Sequence, residues 1–340
     1  MRLFDPDDAA LSGAAPLPKP AAPDAHEASA GGEPAVSEER EAAPVGPLCR
    51  VRLLVVYDGT SFHGFAHQPG QTTIAGRLKE ALARVAGHDV TLTCAGRTDT
   101  GVHAAGQVIH ADVVETFFQA QPDRERLIRS LTQQVGPEIA VLDVERAVDG
   151  FDARRSALSR RYRYRLLCSA APDPLLRHET WHVPRPLDVA AMRLAVDTLL
   201  GEHDFSAFCR RPPDGGSLVR RVSEATLRAE GSDRGAHAGA RPALNASSPE
   251  VLRFEIEAKA FCHQMVRSIV GAIVSVGEGK LTAAGVLEML RAGDRSGGCR
   301  LAPPGGLCLE SVRYPTEMVP GGVWRPPTCQ PHAWADVPST

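Results

Sequence analysis

Lysine is nearly missing from this 340-residue chain. Of its 38 basic residues only Lys19, Lys79, Lys259 and Lys280 are lysines, so arginine supplies almost all the positive charge. The planar guanidinium fork suits phosphate, but arginine-favouring codon usage would leave the same imprint, and only clustering separates the two. Long apolar runs are also absent: none approaches the roughly 20 residues that span a bilayer. The first residues, MRLFDPDDAALSGAAP, lack the cationic start and apolar segment of a signal peptide, so a cytoplasmic protein without membrane attachment is expected. The eight cysteines (49, 94, 168, 209, 262, 299, 308, 329) include no CxxC pair, which argues against a zinc ribbon or a dithiol redox centre. Cys262-His263 has no second Cys/His pair to complete a metal site. No metal site is expected. No internal repeat is evident, and the remaining composition, 43% hydrophobic and 23% charged, is that of a chain able to bury a core.

The charge is uneven. A net charge of −3 argues against a polyanionic partner, yet residues 1–49 carry nine acids against three bases, which leaves the rest of the chain at +3. That acidic stretch, rich in Ala, Pro, Glu and Ser, has no aromatic residue after Phe4 and too little apolar surface to offset the entropy of ordering, so a disordered tail is expected over 1–49. A flexible loop between two strands is expected over 230–250, and a loose Pro-rich tail over 316–340.

Between these breaks strands and helices mix. VRLLVVYDG at 51–59 begins as an apolar strand, and Thr73 caps a helix with Ile74, Leu78, Leu82 and Val85 on one face. Strands are expected at 90–94, 107–113 and 139–147, and helices at 123–131, after Asp188, and at 281–293. RRYRYRLL at 160–167 alternates strictly, Tyr162, Tyr164 and Leu166 against Arg161, Arg163 and Arg165; LRFEIEAKA at 252–260 alternates again. QMVRSIVGAIVSVG at 264–277 is apolar almost all round and reads as a buried helix. The pattern implies an α+β fold, divided at 148/149 into an N-terminal and a C-terminal half.

CAGRTDTGVHAAGQV at 94–108 holds Asp99-Thr100-Gly101, the tripeptide of aspartic proteases. Their dyad needs two such loops sharing one proton, and no second DTG or DSG exists. YDGT at 57–60 imitates the DxDGT loop of haloacid-dehalogenase-like phosphatases, but the nucleophile's position is Val56. What remains is a lone carboxylate with Arg97 two residues before it and His103 four after, among glycines that permit tight turns. On spacing alone, an Asp closing a turn is the competing reading.

Arg154, Arg155, Arg160, Arg161, Arg163 and Arg165 fall within twelve residues with no acid among them and with Tyr162 and Tyr164 interleaved. Cations beside aromatic rings suit single-stranded or looped RNA, whereas a merely solvated face would mix signs. In the buried helix His263, Arg267 and Gly271 share one stripe. A buried arginine needs an anion: Asp99 is one candidate, any other acid an alternative.

Six ordered segments resemble the tRNA pseudouridine synthase A family over roughly 51–315. YDGTSFHGFAHQPG resembles its opening YDGTxFxGWQxQ, AGRTDTGVHA its nucleophile motif, FDARRSALSRRYRY its FxARxSAxxRxYxY, GEHDFSAF its GxHDFxxF, FCHQMVRSIVG its FxxxMVRxIVG, and APPGGLCL with VRYP its closing block. The resemblance implies the pseudouridine synthase fold: a mixed, mainly antiparallel sheet with flanking helices, in two ferredoxin-like subdomains around a central basic cleft. It implies an isomerase that converts uridine to pseudouridine at positions 38 to 40 of the tRNA anticodon stem-loop, as a homodimer without cofactor or metal. Asp99 matches the nucleophile, Arg97 the residue that replaces the flipped uridine in the stack, Tyr162 the tyrosine under the target base, and Arg267 the cation paired with the carboxylate. His103, Arg161 and Arg163 are further candidates for binding substrate. Phe65-Ala66 stands where the family has Trp-Gln, and TQQVGPEI at 132–139 lacks the Asn and Leu-Pro of NxxLPxDI. A non-catalytic tRNA-binding module on the same scaffold is the other expectation, and the intact Asp99, Arg97, Tyr162 and Arg267 set weighs against it.

Overall fold

The first strand, β1 (Leu48–Tyr57), starts inside the stretch read as a tail and is buried almost throughout, Val51, Leu53, Leu54 and Val55 being at most 2% exposed. Such burial explains why its sequence is an apolar run instead of an alternation. The computed structural model describes residues 46–116, 123–211, 215–230, 251–293 and 300–324, all within the compact unit Glu41–Thr340. The expectations for 1–45, 231–250 and 325–340 lie outside the described residues.

After β1 come α1 (Ile74–Ala86), β2 (Leu92–Cys94), β3 (His103–Val114), α2 (Arg124–Val135) and β4 (Ile139–Arg146). Then follow β5 (Ser159–Leu167), β6 (Trp181–His182), α3 (Val189–Asp197), β7 (Gly201–Asp204), β8 (Val219–Ala229), β9 (Val251–Ala258), α4 (Met265–Gly277), α5 (Ala283–Ala292) and β10 (Leu307–Arg313). The helix starts follow the side chains available: Thr73 accepts from Gly76 N–H, Asp123 from Arg126, Asp188 from Ala191 and Thr282 from Gly285.

The strands form one ten-stranded sheet in the order β4-β1-β3-β10-β5-β9-β8-β7, with β2 on β3 and β6 on β5. Pairing is antiparallel except for β10 with β3 and β5 with β6, which is the mixed, mainly antiparallel α+β sheet expected. The junction between β4 and β5 contains the 148/149 division. The last strand, β10, lies between β3 and β5 and joins strands from the two halves. Sequence patterning missed β6, β7 and β10, and implied β8 only as the strand that leads into the loop expected at 230–250.

Residues 316–324 are not loose. Trp324 is 9% exposed, its indole N–H donates to Asp143 Oδ2 at 2.8 Å, and the Arg52 guanidinium lies 4.8 Å from the centre of its ring. Burying an aromatic side chain and satisfying its one donor fastens this segment beside β1 and β4.

Helix α4 is the element that matters most for the site. Eleven of its 13 residues are buried, and the segment 300–302 runs directly across it. A Cβ placed on Gly271 would sit 1.6 Å from the Arg300 carbonyl oxygen, so only glycine admits this crossing. Gly271→Ala is therefore expected to destabilise the protein by about 3 kcal/mol or more, at or beyond the upper end of ordinary overpacking, because the obstacle is backbone. Urea unfolding of the two proteins checks this, and an unchanged midpoint would contradict the crossing.

Candidate active site

Asp99 sits in the loop between β2 and β3, and its neighbours lock that loop from beneath. Gln107, fully buried on β3, donates from Nε2 to the Gly96 carbonyl at 2.7 Å and to Tyr57 Oη at 3.2 Å. Tyr57 Oη in turn lies 2.8 Å from Thr98 Oγ1. The YDGT segment closes the other side, with Phe65 N–H donating to Thr98 O and Gly101 N–H to Phe62 O. Gly101 has φ +75°, the left-handed region that favours glycine, and its turn brings Val102 N–H onto Asp99 O at 3.1 Å. The carboxylate thus projects from a backbone with little freedom.

Arg267, on α4, donates from Nη1 to Asp99 Oδ2 at 3.3 Å and from Nε to Ala302 O at 2.8 Å. Its side chain is 12% exposed against 25% for Asp99, so the pair is partly shielded from water and from salt screening. A guanidinium does not lose its proton in a protein, and the positive charge beside Asp99 is permanent. His263 Nε2 lies 3.6 Å from Asp99 Oδ1. It reaches the acid by a different route from the one its spacing predicts: α4 begins at Met265, and His263 belongs to the turn before it.

Tyr162 is buried on β5, edge-on to Phe261 with ring centres 5.0 Å apart. Its hydroxyl passes beneath the Asp loop, 3.5 Å from where a Cβ on Gly96 would stand. Burial pushes its phenol well above the usual range, and the nearby Asp99 carboxylate adds to the shift. Arg97 is exposed and makes no ion pair among the described residues.

Other expected site residues are placed elsewhere. His103 is 8% exposed; its Nδ1 accepts from Gly59 N–H at 3.1 Å, while Nε2 lies 2.7 Å from His178 O and 3.0 Å from Gly305 O. With both ring nitrogens engaged it ties three loops together and has none left for a substrate. Arg161 and Arg163 project from the face of β5 opposite to Tyr162, where glutamates from neighbouring strands hold them. Arg161 pairs with Glu224 and, at 2.7 Å, with Glu257; Arg163 Nε lies 2.7 Å from Glu310 Oε2. Arg165 meets Glu230 and Glu179. This face does mix signs, because β8, β9 and β10 bring the acids that the run itself lacks. The alternating Glu255 and Glu257 of FEIE were the legible signal, usable only once β9 is known to pair with β5.

Arg160 is the third departure. It is 7% exposed and, among the described residues, meets no carboxylate; instead it donates to the carbonyls of Ala95, Arg154, Ala157 and Lys259. It is a clamp on the Asp loop. Arg154 and Arg155 remain exposed, their backbone N–H groups fixed by Asp152.

The architecture is that of an α+β protein in which a locked loop presents the partly exposed carboxylate of Asp99 beside the permanent cation of Arg267. Compared with known proteins, the chain matches the family described as tRNA pseudouridine synthase over residues 53–146 and 195–315. It is 43% identical to the tRNA pseudouridine synthase A of Frankia casuarinae over 276 residues, covering 79% of this chain and 91% of that protein. The enzyme of the same name from Corynebacterium glutamicum is 39% identical, covering 78% and 90%, and that from Geobacillus sp. 36% identical, covering 78% and 98%. The chain belongs to the tRNA pseudouridine synthase family.

Proposed function

We propose that this protein isomerises uridine to pseudouridine in tRNA, at positions 38 to 40 of the anticodon stem-loop, acting in the cytoplasm as a homodimer. The observation that carries the reading is the Asp99–Arg267 pair, a carboxylate presented by a rigid loop and flanked by a cation. A uridine stacked in RNA is out of reach, so the base must be flipped out, as in other enzymes that act on a base. Arg97, exposed and two residues from Asp99, would fill the vacated stack, and Tyr162 would support the target base.

The Asp99 carboxylate then bonds to the uridine. The N1–C1′ bond breaks, the uracil turns while held, and C5 bonds to C1′ as Asp99 departs. C5 loses a proton and N1 gains one, so the nucleoside keeps its composition and oxidation state. Tritium release from tRNA labelled at uridine C5 measures this exchange directly. Persistence of pseudouridine at positions 38 to 40 in a strain lacking this protein would overturn the reading.

The arginine faces make a separate expectation. Arg154→Ala should weaken tRNA binding and lower its dependence on salt, because an exposed cation removed from phosphate releases fewer counterions. Arg161→Ala, on the opposite face, should leave the salt slope unchanged and cost about 1 kcal/mol of stability by removing the cation that Glu224 and Glu257 share. Filter binding at several salt concentrations distinguishes them; equal slopes for the two variants would contradict the assignment of faces.

A further inference from the structure

Asp99 presents its two oxygens to two different groups. Oδ2 accepts from Arg267, whereas Oδ1 has no hydrogen bond among the described residues and faces His263 Nε2 at 3.6 Å. That distance is too long for a hydrogen bond, so Oδ1 keeps its lone pairs for a reaction partner, with an imidazole beside it. The His263 side chain is half exposed, but its backbone is firmly held. The His263 carbonyl accepts from Arg210 N–H at 3.1 Å, and Met265 N–H closes onto Cys262 O at 3.1 Å.

Between them Gln264 adopts φ +64°, the one positive φ outside glycine among the described residues. Such a conformation is costly and persists where the surroundings enforce it, often at functional sites. Here it turns the chain into α4 so that His263 and Arg267 approach the same carboxylate from two directions.

The isomerisation requires one proton to be moved, and among the described residues Arg267, His263 and Tyr162 lie near Asp99. Arg267 keeps its charge permanently. Tyr162 is buried, and burial disfavours a phenolate. Imidazole is the remaining group, and a neutral ring has one nitrogen that accepts a proton and one that donates. We propose that His263 is a catalytic residue that carries the proton from C5 to N1, an inference that rests on the synthase reading above.

Once C5 has bonded to C1′, that carbon still carries its hydrogen and the ring holds a C6=N1 double bond. The His263 imidazole takes the hydrogen as a proton. The C5–H electron pair becomes the C5=C6 bond, the former C6=N1 pair moves to N1, and the imidazolium returns its proton there. Nothing is oxidised and no other reactant is consumed.

The test is single-turnover pseudouridine formation on tRNA carrying hydrogen or deuterium at uridine C5, with the wild type, His263→Ala, His263→Gln and Asp99→Asn. Both His263 variants should form product about 100-fold more slowly, within the range of a lost general acid–base group, with tRNA affinity and thermal midpoint unchanged. C5 deuteration should slow the variants further, and added imidazole should restore part of the His263→Ala rate. Rates within twofold of wild type would overturn the inference. So would a loss that imidazole does not restore and deuterium does not deepen, since that would make His263 a prop. If Asp99→Asn alone is inert, only this inference fails; if the wild type is inert on tRNA, the synthase reading fails with it.

Discussion

Asp99→Asn is expected to bring pseudouridine formation to background, a loss of about 10⁴-fold or more, while tRNA affinity stays within a few-fold of wild type. The two side chains have the same shape, but a neutral amide is too weak a nucleophile to bond to the nucleoside. The loop does not depend on the carboxylate for its conformation. Gln107, Tyr57, Thr98 and the Phe62 and Phe65 backbone hold it through bonds that do not involve the Asp99 side chain. The amide oxygen can still accept from Arg267. Stability should therefore change by less than about 1 kcal/mol. Tritium release measures turnover and gel shift measures affinity; full turnover in the purified variant would remove Asp99 from the chemistry.

Arg267→Leu is expected to have the second largest effect, slowing the reaction by about 10² to 10³-fold, in the range seen when one charge-stabilising donor is taken from an active site. It should also destabilise the protein by about 1–3 kcal/mol, because Arg267 Nε satisfies the Ala302 carbonyl and its loss leaves that acceptor without its partner. Arg267→Lys is a sharper test. One ammonium group cannot reach in both directions served by the guanidinium fork, so the lysine variant should recover either the contact to Asp99 or that to Ala302. Rate and thermal midpoint measured together would then separate. A lysine variant indistinguishable from wild type in both would show that fork geometry is irrelevant here.

These effects differ in how visible they were beforehand. Gly101 and Asp99 announce themselves, because a tight turn with a projecting acid needs particular residues at particular spacings. The alternation of β5 likewise declares which side chains share a face. What it cannot declare is the company each face keeps. Arg161 and Arg163 looked like free cations because their own stretch has no acid, yet Glu224, Glu257 and Glu310 reach them from strands 63 to 147 residues further along. Arg160, one position away, sits on the Tyr162 face and donates to carbonyl oxygens. His103 stood beside Asp99 in sequence and was turned inward by its strand; His263, 164 residues from Asp99, was turned toward it by a strained residue that helical spacing did not foresee.

By itself, then, the sequence determined the local matters: an α+β alternation of strands and helices, the caps that start α1, α2, α3 and α5, the turn that carries Asp99, and the need for an anion of an arginine in an apolar helix. The tertiary structure alone decided which anion that would be, which arginines stay free for a polyanion, and how β10 joins the halves into one sheet. The reason lies in range. Turn and helix preferences are set by neighbours a few residues apart, whereas the fate of a charge depends on which strands are brought beside it and on how much water they leave.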